Sequence, residues 1–160
     1  MQAMQCKPVW EGLQTEHYQA EPVWRGHYKP RYASLTLAFM AGQCNGLNQA
    51  INYHYPAFQA TFPAANPKYF NPDISWENKY KCGAYANGGE RFPGAKTVFA
   101  WTTDFHHLTA TGHRAFLFGA GCTVTLGERR HWSRYATDVG LSFLAYSAGF
   151  HLWYSAIVHQ

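Results

Sequence analysis

The stretch 136–158, ATDVGLSFLAYSAGFHLWYSAIV, contains no Lys, Arg, Glu or Pro, a single acid (Asp138) and a single histidine (His151). As a helix rising about 1.5 Å per residue, it is long enough to cross the ~30 Å apolar core of a bilayer. Just before it stands GERRHWSRY, a knot of positive charge, and before that a shorter apolar run from Ala115 to Leu126. The pattern predicts a helical hairpin that enters a membrane and turns around on a basic loop. The rival expectation is a wholly soluble helical domain whose core helix is this same segment.

Composition fits a membrane interface better than a uniform membrane-filling bundle. The hydrophobic fraction is 47%, yet mean hydropathy is −0.36. Aromatic residues make up 18% and charged residues only 14%. Trp and Tyr settle at headgroup level, which suits this balance. A net charge of +4 suits anionic lipid. Nucleic acid is disfavoured, because the basic residues are scattered and no zinc-finger or RNP-type motif occurs. Cys6, Cys44, Cys82 and Cys122 are widely separated and form no CxxC pair. They read as reduced thiols, with a disulfide as the alternative.

Along the chain, residues 1–32 read as an irregular aromatic arm, and 33–160 as a helical domain. The arm repeats Pro-Val-Trp at Pro8–Trp10 and Pro22–Trp24. Trp10 and Trp24, with Trp153 near the other terminus, are candidate interface anchors; aromatic turns packed on the domain are the plainer reading. Helices are expected at about 34–54, 103–126 and 136–158. Ser34 is the expected cap of the first, and Pro56 its stop. Asn45, Asn48, Gln49 and Asn52 recur at helical spacing and form a polar stripe. Residues 56–100, thick with Pro, Asn and aromatics, read as a long capping loop. Its Asn-Pro pairs at 66–67 and 71–72 are turn signals. Glycines 119, 121 and 149 are expected to allow close helix packing.

Charge sets a topology. Arg25, Lys29 and Arg31 precede the first helix, and Arg129, Arg130 and Arg134 lie between the second and third. Under the positive-inside rule both flanks are cytoplasmic, and three crossings satisfy both.

The densest chemical constellation is Asp104, His106 and His107, followed by His113 and Arg114. Asp104 and His107 are three apart and share a helix face. Such a pair can ligate a metal, or the carboxylate can hold the imidazole in one tautomer for acid–base work. Asp104 or Thr103 can equally be a plain helix cap. His54 is a further candidate if the polar faces of the first two helices converge near Asn48. Asp138 reads as a cap or an Arg134 partner. His151, at membrane depth, reads as hydrogen-bonded to a neighbouring helix or as a metal or haem ligand. No GxSxG, HExxH, P-loop or GxGxxG motif occurs.

The run AGQCNGLNQAINYHYPAFQATFPAANPKYFNPDISWENKY, then GGERFPGAKTVFAWTTDFHHLT, resembles a family of small, uncharacterised membrane-associated proteins of bacteria and bacteriophages. The shared features are a His-Tyr-Pro-x-Phe turn, an Asn-Pro-x-x-Ser-Trp-x-Asn-Lys-Tyr loop and a Thr-Asp-x-x-His-Leu-Thr helix start. The resemblance implies an architecture and no reaction, and the sequence leaves any cofactor open.

The expectation is therefore a mainly α chain, a three-helix membrane-associated bundle with a long aromatic capping loop. It would be a non-enzymatic subunit contacting other protein subunits and lipid, in a bacterial inner membrane or a virion, with its N-terminus cytoplasmic. The alternatives are a membrane-bound hydrolase or metal-binding protein using Asp104, His107 and His54, and a soluble helical structural protein.

Overall fold

The computed structural model describes residues 30–125 and 131–159; Trp10, Trp24, Arg129 and Arg130 lie outside them. Among the described residues the chain is mainly helical, and the only β pairing is an isolated bridge between Tyr80 and Glu90. Three long helices dominate: α1 (Pro30–Thr61), α4 (Phe105–Thr125) and α5 (Trp132–Val158). Two short ones, α2 (Pro67–Phe70) and α3 (Pro72–Ser75), lie in the connection between α1 and α4.

Helix α1 starts a turn earlier than Ser34, at Pro30, whose fixed φ and missing N–H suit a first position. Ser34 is thus no cap. It is fully buried, and its hydroxyl meets that of Ser142 on α5 at 2.8 Å. The expected stop near Pro56 appears as a break, not an end. His54 leaves helical geometry (φ −136°, ψ 37°), and a second helical stretch then carries the chain to Thr61. Pro56 cannot continue the first stretch, because it lacks an N–H and its ring collides with the carbonyl four residues back.

The contact between α1 and α5 is built on small residues. Ser34, Ala38, Gly42, Gly46 and Ala50 recur every four residues and are all buried. A Cβ added at Gly42 would lie 2.0 Å from the Tyr146 carbonyl oxygen, and one at Gly46 2.4 Å from that of Phe150. From the other side, a Cβ at Gly149 would lie 2.2 Å from the Phe39 carbonyl oxygen. Backbone therefore lies on backbone, as small-xxx-small stripes permit. Rising numbers on α1 meet rising numbers on α5 (Ser34 with Ser142, His54 with Tyr154), so the two run parallel.

Helix α4 packs on another face of α1 and runs antiparallel to it: Asn48 meets Thr109, Cys44 meets Gly112, and Leu37 meets Gly119. Gly119 and Gly149 pack closely as expected, but Gly121 faces open space. There α4 and α5 part, leaving an apolar cleft of about 480 Å³ lined by Leu117, Gly121, Val139 and Phe143. The Pro30 end of α1, the Thr125 end of α4 and the Trp132 end of α5 share one end of the structure. The 62–104 connection and the C-terminus share the other.

Helix α5 begins four residues before the expected 136, because His131 caps it: its ring accepts from the Ser133 N–H. Asp138 then falls in the second turn, buried, and is not a cap. In the connection, each Asn-Pro pair proves to be a helix start. Asn66 accepts from the Lys68 N–H and Asn71 from the Asp73 N–H, each followed by Pro at the first helical position. Asn71→Ala is expected to cost about 1 kcal/mol, read as a lower unfolding midpoint. The core cluster sits at this end: Ala50, Ile51, Phe58 and Ile157, with Phe70, Phe105 and Trp153 packed against it. Trp153 is half-buried there, its ring tilted against Phe62 at 6.4 Å between centroids, so it is spent on the core as well as on any surface.

Candidate functional site

Asp104 immediately precedes α4 and is 1% exposed. One carboxylate oxygen accepts from the His107 backbone N–H at 2.8 Å, the bond of an N-cap. The His107 ring turns back onto the same carboxylate, with Nδ1 2.8 Å from both oxygens. The cap and the carboxylate–imidazole pair are therefore one structure. Burial pushes the Asp104 pKa up. The side-chain and backbone hydrogen bonds from His107, its charge, and the bond from Thr103 outweigh this and hold the carboxyl below its ordinary range. An ionised carboxylate only accepts, so His107 donates through Nδ1–H.

A lowered native pKa means Asp104 stabilises the fold above the ordinary carboxylate range, and this contribution disappears as pH falls through the native value. Asp104→Asn is accordingly expected to cost about 1–2 kcal/mol at neutral pH. The difference from wild type should shrink in strong acid, as followed by unfolding at a series of pH values.

The adjacent His106 joins α1. Its Nδ1 receives the Asn52 amide at 2.9 Å and lies 3.2 Å from that of Asn48. Two donors on Nδ1 place any ring proton on Nε2. Asn48 also donates to the His106 carbonyl at 3.0 Å and to Thr109 Oγ1 at 2.9 Å, and its own oxygen accepts from Asn52 at 3.0 Å. Asn45 donates to the Tyr146 hydroxyl at 2.7 Å, which in turn lies 3.3 Å from His113 Nε2. Asn45, Asn48 and Asn52 of the stripe on α1 thus bond to α4 and α5, and no buried side-chain polar atom among the described residues lacks a partner.

The candidates divide accordingly. Asp104 and His107 meet each other; Asn48 meets His106, the neighbouring histidine. His54 bonds the Tyr154 hydroxyl on α5 at 3.0 Å, and its ring packs edge-on against that tyrosine. His151 is exposed and lies 3.3 Å from Ser155 of its own helix, not of a neighbouring one. Among the described residues, no group of three His, Cys, Asp or Glu is placed to hold a metal ion. Cys44, Cys82 and Cys122 are free thiols. The pairing of Asn48 with His106 follows a signal the sequence does carry: an amide at 48 and 52 opposite a histidine next to a capped start.

Compared with family models, with curated proteins and with solved structures, the chain matches none. Function must be read from the surface and the site alone.

The surface is the more telling of the two. Helix α5 is long and apolar enough to cross a membrane, yet only 11% of its most apolar 18-residue stretch is buried. Val139, Phe143, Leu144 and Leu152 are each more than half exposed, as are Trp132 and, on α4, Phe118. Burying one such side chain is worth about 1.5–3 kcal/mol, so in water these six leave on the order of 10 kcal/mol unrealised. The core helix of a soluble chain would be wrapped by its neighbours; the described residues leave this face of α5 uncovered.

Proposed function

We propose that the chain is a non-enzymatic, membrane-associated subunit, a three-helix bundle capped at its outer end by the aromatic connection. The uncovered apolar surface of α5 carries this reading, because large exposed apolar patches mark lipid or protein contact. The arginines between α4 and α5 in the sequence, with the basic residues before α1, support a cytoplasmic side for the flanks they occupy, under the positive-inside rule. The parallel course of α1 and α5 agrees with three crossings. A small, charge-poor, aromatic-rich chain of this kind fits a place in a larger assembly of a bacterial inner membrane or a virion. The family resemblance in residues 41–109 belongs with this proposal.

The test is fractionation. The chain is expected to stay with membranes through carbonate extraction, to leave them only with detergent, and to bring a stoichiometric protein partner with it. Complete release by carbonate would instead support a soluble helical protein.

A second reading, a hydrolase or metal protein, rests on the Asp104–His107 pair. Loss of a hydrolytic activity or of bound metal on His107→Ala, with the fold intact, would favour it. Retention of both would remove it.

A further inference from the structure

The connection between α1 and α4 holds a cavity of about 460 Å³ lined by Lys68, Ile74, Glu77, Asn78, Tyr80 and Arg91, with Cys82 and Gly83 at its wall. Its frame is pinned. The Arg91 N–H donates to the Lys79 carbonyl at 2.9 Å, and the Lys81 N–H to that of Gly89 at 3.0 Å. The Asn78 amide donates to the carbonyls of Lys68 and Thr103, tying the cavity to the start of α4. Trp76, Tyr80 and Tyr85 pack edge-on beneath, with centroids 5.2 to 6.0 Å apart.

Three charges line this one space: two cations and one acid. The only ion pair among the described residues is that of Asp104 with His107 apart from any involving Asp138, so Lys68, Arg91 and Glu77 reach no partner, not even each other. The wall also holds the one non-glycine residue of the described chain with a left-handed backbone, Cys82 (φ 57°), followed by Gly83 (φ 65°). Such strain collects at ligand clamps. Two uncommitted cations and an uncommitted carboxylate lining one cavity are complementary to a small molecule with both signs of charge. Arg and Lys suit a phosphate, Arg through its fork and Lys as a point charge. Glu77 suits an ammonium.

We infer that this cavity binds a phosphate joined to a primary amine, the phosphoethanolamine group, with the phosphate on Lys68 and Arg91 and the ammonium on Glu77. The group can arrive as a free small molecule or as a lipid headgroup, and the cavity reads the chemistry common to both.

The test is calorimetric titration of the full chain in detergent with O-phosphoethanolamine and, separately, with inorganic phosphate. Saturable binding of O-phosphoethanolamine in preference to phosphate is expected. Lys68→Gln and Arg91→Gln should each weaken it about tenfold or more, as loss of a charge-assisted hydrogen bond does. Glu77→Gln should erase the preference over phosphate and leave phosphate binding intact. These side chains are exposed or half-exposed, and substitutions at such sites leave folds standing. A second arm uses the chain in phosphatidylcholine discs with and without phosphatidylethanolamine. Blocking of the free probe only by the ethanolamine lipid assigns the headgroup; equal binding in both assigns the free molecule. Absence of binding at millimolar probe, equal affinity for phosphate, or indifference to both cation substitutions would overturn the inference.

Discussion

Gly149→Ala is expected to break the contact between α1 and α5, at a cost upward of about 3 kcal/mol, although it adds a single methyl group. The added Cβ would lie 2.2 Å from the Phe39 carbonyl oxygen and 3.1 Å from the Gln43 nitrogen. Both are backbone atoms of a helix and cannot turn aside as the end of a side chain can. The helices would have to part, and with them the Ser34–Ser142 and Asn45–Tyr146 bonds. Gly42→Ala should do the same from the other side. The control is internal. Gly121 and Gly140 lie in helices with nothing within 4 Å of an added Cβ. There alanine is expected to be neutral or to stabilise by up to about 1 kcal/mol, through helix propensity alone. Denaturant unfolding in detergent, followed by helical circular dichroism, separates the two pairs. Equal effects at all four positions would mean that the close contact does not exist.

Asn48→Leu should have the next largest effect, about 2–3 kcal/mol. Asn48 is 8% exposed and its amide serves Thr109, the His106 carbonyl and the His106 ring. Leucine is of similar size, so the loss is polar rather than steric. It takes a donor from Thr109 Oγ1 and an acceptor from the Asn52 amide, in a place water does not reach easily. Asn52 retains its bond to His106, so the His106 ring stays held by one donor. The outcome to measure is the unfolding free energy of Asn48→Leu, Asn52→Leu and the double variant. Coupling between the two, beyond simple addition, is the signature of a shared network.

The sequence made the long helices legible because each carries its own signal: apolar length for α5, Asp104 for the start of α4, Pro56 for the break in α1. It misled where one residue type serves two local structures. Asn-Pro at 66–67 and 71–72 reads as a turn, yet the same asparagine oxygen that closes a turn also caps a helix, and proline suits its first position. Ser34 reads as a cap because serine prefers caps, but the stripe it shares with Ala38, Gly42, Gly46 and Ala50 was the stronger sign of a buried face. That spacing was present in the sequence and predicts the α1–α5 contact. The partner of Asn48 was less accessible. Which of two adjacent histidines turns inward depends on the cap: Asp104 claims His107, and His106, one residue round the helix, is left to face α1. His54 departs with the kink at its own position and meets α5 instead.

The proposed membrane association requires the uncovered face of α5 to lie in lipid. Single cysteines at Phe143, Leu144 and Leu152, in a chain whose native cysteines are replaced by serine, can carry nitroxide spin labels in reconstituted vesicles. All three labels are expected to be accessible to molecular oxygen, which concentrates in the bilayer, and shielded from a water-soluble nickel chelate. Access to the chelate at all three positions, in folded protein, would contradict it.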